Sequence, residues 1–377
     1  MAAMAPKRLS VLSAWVFVAS VPLAFPAGAA DSASTRPRQD TEARNYVSVA
    51  SREELVARAK KEGKLRATSS LGDEARKAMA EAFRAEYPFI DVQIDDLGGE
   101  AAQRWLLELK AGLVRGWDAN HIPDQLYVNN ELSLFQKKFD IWSMANTGVL
   151  AIRPEIVDPV LRNVVVITSN LQVVAYNKKL LASERVPDKW EDFLRPEFKG
   201  RKFVAEVDGA DIAGLIPAWG LEKTIDFARK LGAQQPIWSG GASRVLVSMI
   251  AGEYALFLGP NFHTVKRAQD KDRAGILGYK IVEPVPTRLT QPVGVLEKAE
   301  HPYAGLLWVE FQAGPKGQQI LDKFRPYGAS VFVPGSITGE VTRGKQLSVV
   351  NWDHFSKMSE YKSKIVEAYG FPRADKK

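Results

Sequence analysis

The residues that could do chemistry are few in kind. Of the four histidines, His121, His263, His301 and His354, no two stand at metal-ligand spacing, and there is no cysteine. No Gly-rich phosphate loop and no Gly-x-Ser-x-Gly elbow occurs, so nothing ties a serine, a histidine and an acid into a nucleophilic set. What recurs is a small polar cluster where a predicted strand ends and a helix begins: Ser69-Ser70, Gly98-Gly99, Asp208-Gly209-Ala210 and Ser239-Gly240-Gly241. In an open α/β sheet such loops gather at the carboxyl ends of the strands, where helix N-termini offer unpaired N–H groups that suit an anion. Any one of them reads as a plain turn or cap. Four together, two on each side of the stretch Val164–Leu181, point to a cleft.

The elements that must hold these loops are strand–loop–helix units. Ser51 and Glu54 form a capping box, Leu55, Val56 and Ala59 give that helix an apolar face, and Gly63 closes it. A strand over 65–68 leads to a helix over 73–87 that buries Met79 and Phe83; a strand over 90–94 leads to a helix from Glu100 with Trp105, Leu106 and Leu109 on one face. From 116 to 162 the pattern is broken by Pro123, Pro154 and Pro159. Two β-branched runs, 164–167 and 171–175, then read as extended chain passing from one α/β unit into another.

Beyond them the pattern predicts a short helix over 190–198, a strand over 203–207 and helices over 208–218, 221–231 and 243–251. A strand over 254–258 stops at Gly259-Pro260-Asn261, with a helix over 262–270 after it. Strands over 279–285 and 293–296, an apolar helix over 303–313 and a charged tail complete the chain.

A chain of 377 residues is long enough for two domains, and 46% hydrophobic with 25% charged residues is the balance of a folded soluble protein. Lys7 and Arg8 precede an apolar segment over 9–25 and the small residues Ala27-Gly28-Ala29, which reads as a signal peptide over 1–30, followed by a flexible leader over 31–47. The formal net charge of +7, two units of it in that signal, is spread among acids with no basic stripe, which argues against nucleic acid. Without cysteine there is neither a disulfide framework nor a lipid-modified N-terminal thiol.

Six segments carry a resemblance: AKKEGKL (59–65), EAFRAEYPFIDVQ (81–93), VVAYNKKLL (173–181), VPDKWEDFLRPEFKGR (186–201), AGEYALF (251–257) and HPYAGLLWVEFQAGPKGQQIL (301–321). In this order they make the chain resemble a bacterial extracellular solute-binding protein of an ABC importer, in the broad group that contains ferric-iron, thiamine, polyamine and phosphonate binders. The resemblance implies an α/β, type II periplasmic binding protein fold: two lobes, two crossing hinge segments and a ligand cleft between them. The first lobe would be 48–168 with 288–377, the second 169–287, and the return crossing would fall near 284–287. It also implies a periplasmic monomer that performs no chemistry and hands a small-molecule solute to a permease in the inner membrane, with no cofactor and no resident metal.

Iron binders of this group resemble one another in an adjacent tyrosine pair after the strand that follows a Gly-Glu; here Gly252-Glu253 leads instead to Asn261-Phe262-His263. Phenylalanine cannot ligate and imidazole is softer than phenolate, so an anionic organic solute is expected, with Arg244 and Arg288 as its charge partners. Carrying the cleft loops over gives the candidate ligand-binding residues Ser69, Ser70, Gly99, Asn170, Asp208, Gly209, Ala210, Ser239, Gly241, Arg244, Asn261, His263 and Arg288. Trp238 and Phe262 could line the pocket, and Ser169 would sit with Asn170 at its floor. Polyamine capture would need an acid-rich cleft, and the loops offer only Asp208 and Asp211. The alternatives are a ferric-iron protein without the tyrosine pair and a periplasmic enzyme using Asp208, Asp211 and His263.

Overall fold

Local signals set the first elements. In the computed structural model, which describes residues 45–97, 99–122, 135–324 and 328–371, the Ser51 hydroxyl accepts the Glu54 N–H at 3.2 Å and starts helix α1 (Arg52–Glu62). The Glu54 carboxylate turns back to the Ala50 N–H at 2.8 Å, one residue before the cap. Gly63, at φ 66°, ends the helix in the left-handed conformation that its missing Cβ permits. Strand β1 (Lys64–Ser69), helix α2 (Asp73–Glu86), strand β2 (Asp91–Asp96), helix α3 (Gly99–Lys110), strand β3 (Ala119–His121) and helix α4 (Ile141–Asn146) follow. The expected signal peptide (1–30), the leader up to residue 44, Gly98 and Pro123 lie outside the described residues.

The stretch around residue 164 then forms one strand, β4 (Val165–Asn177). After it come β5 (Val204–Glu206), α5 (Ala210–Ala213), α6 (Ile216–Trp219), α7 (Leu221–Ala233), β6 (Ile237–Ser239), α8 (Ala242–Ala251), β7 (Leu256–Asn261), α9 (Phe262–Gln269) and β8 (Leu277–Lys280). The chain returns along β9 (Val285–Val295) and continues through α10 (Pro302–Ala313), α11 (Pro315–Phe324), α12 (Ile337–Val341), β10 (Leu347–Val350), α13 (Trp352–Phe355) and α14 (Met358–Ala368).

The strand order is β2-β1-β3-β9-β4-β7-β5-β6, with β10 beside β9 and β8 beside β4. Two strands join its halves. Residues 165–171 of β4 run antiparallel to 293–287 of β9, whereas residues 172–177 of β4 pair with β7 and β8. The other end of β9, 293–295, pairs with β3, so each strand is anchored on both sides of the junction. Between Gln172 and Val174 the register to β7 shifts from Asn261 to Leu258, leaving one extra residue on β7, and Gly259 there has φ 78°. This is the geometry of a bulge that takes glycine in the left-handed region.

Each half has its own core. Phe83 of α2 meets Trp308 and Phe311 of α10 edge-on at 5.2 and 5.4 Å, and α10 is buried along its length beneath α1 and α2. Its Glu310 is held by Arg52 and accepts the Ala151 N–H at 2.6 Å. In the second half Trp190, Phe193 and Phe203 pack with Ile365 and Tyr369 at the end of α14, while Leu171, Val173, Phe257, Val285 and Val331 fill the other side. Residues 358–369, which the sequence reading groups with 288–377 in the first lobe, therefore lie against the second core.

Several boundaries differ from expectation. The helix expected over 208–218 is two short helices, because Pro217 has no N–H for a continuous ladder and Gly214 ends α5. The strand expected to stop at Leu258 runs on to Asn261 through the bulge. The strands expected over 279–285 and 293–296 are β8 and one long β9 that includes Pro286 and Pro292. Pro292 lacks an N–H, but its carbonyl accepts the Ile122 N–H at 2.8 Å, so the strand keeps its partner there. The short helix expected over 190–198 is two 3₁₀ turns, 190–194 and 196–198, separated by Arg195 before Pro196.

Candidate functional site

A cavity of about 380 Å³ opens where β4 and β9 pass from one half of the sheet to the other. Its floor is Asn170 and Gln172 of β4 with Pro286, Thr287 and Arg288 of β9; Asn170 and Arg288 stand opposite each other in the ladder. One wall is the end of β5, the start of α5 and the bulge of β7, which bring Glu206, Asp208, Ala210, Gly259 and Asn261. The facing wall comes from the C-terminal segment: Val350, Phe355, Met358, Ser359 and Lys362.

The acidic wall is built by strand-end geometry. Asp208 Oδ1 accepts the Ala210 N–H at 3.0 Å, an Asx turn that starts α5 after Gly209 at φ 67°, and Oδ2 accepts from Lys362 Nζ at 2.8 Å. Burial, with the neighbouring Asp208 charge, raises the Glu206 carboxyl above the usual range. Asp211 is enclosed: Oδ1 accepts the Ile212 N–H at 2.9 Å, Oδ2 has no partner, and burial followed by the Glu206 and Asp208 charges raises its pKa well above that of an ordinary aspartate. The Gln172 amide holds the same turn, donating to the Asp211 carbonyl at 3.0 Å and accepting the Asp211 N–H at 3.3 Å.

The cavity thus gathers Asn170, Asp208, Ala210, Asn261 and Arg288 from the sequence candidates, with Gly209 supplying the turn between two of them. The others fall elsewhere. Ser169 is fully buried, and its hydroxyl accepts the Val331 N–H at 3.2 Å, so it is a strut under the floor. Ser69 is buried at the end of β1 with its hydroxyl accepting the Leu71 N–H at 3.2 Å, and Gly99 opens α3. Ser70 stays exposed; its Oγ is 2.9 Å from His121 Nδ1, which also takes the Ser70 N–H at 3.2 Å, while His121 Nε2 is 3.0 Å from Gln312 Oε1. His121 is thus tied to Ser70 and to Gln312.

Ser239 pairs with Glu206 across β6 and β5, and Gly241 opens α8 at φ 91°. Arg244 is exposed on α8, whose buried face is Val245, Leu246 and Met249. His263, in the first turn of α9, is not among the lining residues. Trp238 packs 4.4 Å from Tyr369 and Phe262 is buried, so neither lines the cavity. Sequence reasoning missed Glu206, Gln172 and the whole C-terminal wall. The spacing Met358, Tyr361, Ile365, Tyr369 is a helical stripe that signals a packed helix in what reads as a charged tail.

Residues 134–358 match the family model for bacterial extracellular solute-binding proteins. The chain belongs to the bacterial extracellular solute-binding protein family. A search of curated proteins finds no match. Among solved structures, this solute-binding protein is similar to the Trichodesmium IdiA (FutA) protein in complex with iron and citrate, at TM-score 0.64 and 16% identity, over 82% of this chain and 100% of that one. It is similar to Mannheimia haemolytica ferric iron-binding protein A in an open conformation, at TM-score 0.63 and 16% identity over 82% and 99% of the two chains. The substrate-binding protein of an ABC transporter from Agrobacterium tumefaciens matches at TM-score 0.53 and 16% identity, over 82% and 96%. At such identity the likeness is one of fold, and the fold is the two-lobed α/β architecture of type II periplasmic binding proteins, with β4 and β9 joining the lobes.

Proposed function

We propose that this solute-binding protein is the periplasmic component of an ABC importer, exported by the signal over 1–30, and that it carries a small organic solute as a monomer to an inner-membrane permease without transforming it. The observation that carries the reading is the position of the cavity: its floor is the two strands that join the lobes, and its walls rise from the second lobe and the C-terminal segment. A solute held over these strands shifts the lobes from open to closed only through contacts that differ between the two states. The lobe division that goes with this reading takes 48–168 and the return of β9 as one lobe and the chain from 172 to 284 as the other, with α14 docked on the second.

Two of the solved relatives are described as iron proteins, and the cavity of this chain supports a different cargo. No tyrosine or histidine is among its lining residues, and among the described residues no group of three His, Cys, Asp or Glu stands where it could hold a metal ion. A purely anionic solute is also poorly matched: Arg244 is outside, and Arg288 and Lys362 share the lining with Glu206 and Asp208. Both signs of charge favour a polar organic molecule. The enzyme reading loses its geometry as well, since Asp211 is enclosed, Asp208 is paired with Lys362 and His263 is off the lining.

A thermal-shift screen with ferric citrate, carboxylates, phosphate esters, phosphonates and amines tests this. A ligand at a hundred times its Kd stabilises the native state by about 2.7 kcal/mol, and Asn170→Ala should cut that response. A response to ferric iron alone would refute the organic solute; solute turnover abolished by Asp208→Ala would refute binding without chemistry.

A further inference from the structure

The C-terminal segment is anchored on both halves of the molecule. Helix α14 is fixed to the second core, where Ile365 is fully buried and the Tyr369 ring lies 4.4 Å from that of Trp238. Glycines make room for it: a Cβ built on Gly209 would stand 2.9 Å from Ile365 Cγ2, and one on Gly232 would collide with the Tyr369 carbonyl. Trp352, at the start of α13, packs the other way. It lies against a separate apolar cluster of the first half, which includes Leu97, Trp105, Leu106 and Leu109 at α3 with Ile122 and Leu296. Just upstream, β10 runs beside 285–288 of β9 at the return crossing.

Between these two anchors the chain borders the cavity, with Phe355 and Met358 in its lining. The turn that presents Trp352 is held from within. The His354 and Phe355 N–H groups donate to the Asn351 carbonyl at 3.0 and 3.1 Å, and that of Lys357 to the His354 carbonyl at 3.0 Å. Asn351 Oδ1 accepts the Asp353 N–H at 3.3 Å and lies 2.8 Å from His354 Nδ1. All of these bonds survive if the indole leaves its cluster. Apolar contact is non-directional, so its loss there exposes area without stranding those backbone groups. Burial separates the two anchors as well: Trp352 is only half-buried, whereas Ile365 has no exposure.

We propose that Trp352 is a releasable latch between the lobes. The C-terminal segment is then a third connection beside β4 and β9, fixed to the second lobe through α14 and held to the first by this indole, and the cleft opens when the indole leaves its cluster. The inference rests on the lobe division proposed above and on no particular solute. Trp352 is not among the residues lining the cavity, so it is a positioning residue that acts on solute affinity by setting the fraction of closed protein. Truncating a tryptophan in such a contact should raise the open-to-closed ratio by about tenfold.

The chain has no cysteine, so spin labels attach only where a cysteine is placed. Labels at Lys77→Cys on α2 and Val247→Cys on α8, both exposed, report the separation of the lobes in the ligand-free mature protein by double electron–electron resonance. Small-angle scattering of the unlabelled protein gives its radius of gyration as a second measure. Trp352→Ala and Trp352→Gln should shift or broaden the distance distribution and enlarge the radius; Trp352→Phe, which keeps an aromatic ring for the cluster, should stay close to wild type. Trp219→Ala removes a ring that meets Phe227 edge-on at 5.3 Å within the second half, and should change neither measure. Distributions and radii that coincide for wild type and the Ala and Gln variants, or a change of equal size in Trp219→Ala, overturn the latch. No solute is added, so the latch and the solute reading fail separately: a shift in Trp352→Ala with no response in the thermal-shift screen keeps the latch and removes the solute, and a response without a shift does the reverse. Melting curves of each variant establish that it is folded.

Discussion

Gly259→Ala puts the cavity wall under direct test. Gly259 sits in the bulge of β7 at φ 78°, and a Cβ built on it lies 2.6 Å from Asp211 Cβ and 2.8 Å from Asp211 Oδ2. Two costs add. Holding a residue with a Cβ in the left-handed region costs about 1–2 kcal/mol, and forcing a methyl into filled space costs about 1–3 kcal/mol, so the loss should be about 2–5 kcal/mol. Gly241→Ala separates the terms, because Gly241 is also left-handed, at φ 91°, but has nothing within 4 Å of its built Cβ. It should lose about 1–2 kcal/mol only. Urea unfolding of both variants, followed by fluorescence and far-UV circular dichroism so that coincident transitions check the two-state assumption, gives the comparison. Equal midpoints for the two variants would refute the packing of Asp211 against the bulge and, with it, the account of how the wall is shaped.

Three further outcomes follow from buried polar contacts. Arg162, buried and at φ 59°, clasps Asp140 through Nε at 3.0 Å and Nη2 at 2.6 Å; Arg162→Met should cost about 3–5 kcal/mol in urea unfolding, since it strands a buried carboxylate. Trp190 Nε1 donates to the Pro284 carbonyl at 2.9 Å, and Trp190→Phe should cost about 1–3 kcal/mol by leaving that oxygen unpaired beside the return crossing. Asp211 keeps its proton in the native state to a higher pH than in the unfolded chain, so the stability it contributes is complete below about pH 4 and is lost as pH rises through the folded value. Asp211→Asn does not titrate, so its stability relative to wild type should rise from pH 4 to pH 7 in guanidinium unfolding; a constant difference would contradict the direction given for Asp211.

What the sequence makes legible is what its neighbours in the chain decide. Ser51, Glu54 and Gly63 bound α1 because caps need only residues within one turn. The cleft loop Asp208-Gly209-Ala210 is legible for the same reason. The extent of β9 is not, because Pro286 and Pro292 argue against a strand locally and only β3, β4 and β10 alongside make it one. Arg244 is misplaced because the loop before it suggests a cleft, while the apolar residues on either side of its turn decide which way it faces. Lys362 is missed because nothing local links a helix at the end of the chain to an aspartate 154 residues earlier.

Strand β4 changes hydrogen-bond partners along its length. Along 165–171 the strand is held by β9, by the Thr168 hydroxyl donating to the Thr290 carbonyl at 2.8 Å, and by the Ser169 N–H donating to the Gly328 carbonyl at 3.3 Å. From Gln172 onward it pairs with β7 and β8, and the Gln172 amide is matched to the backbone of Asp211. Rotation of one lobe against the other must therefore be absorbed between Leu171 and Val174 and, on the return, at the start of β9, where Gly214 leaves room for Gln172 and Pro286: a Cβ there would stand 2.9 Å from each. Native-state hydrogen exchange on the ligand-free protein should read this directly. Amides of 166–169 should open only with global unfolding, and those of 172–174 through a local event of lower free energy. Equal protection across 166–174 would move the hinge away from the bulge and leave the 380 Å³ cavity a rigid pocket rather than one closed by its own floor.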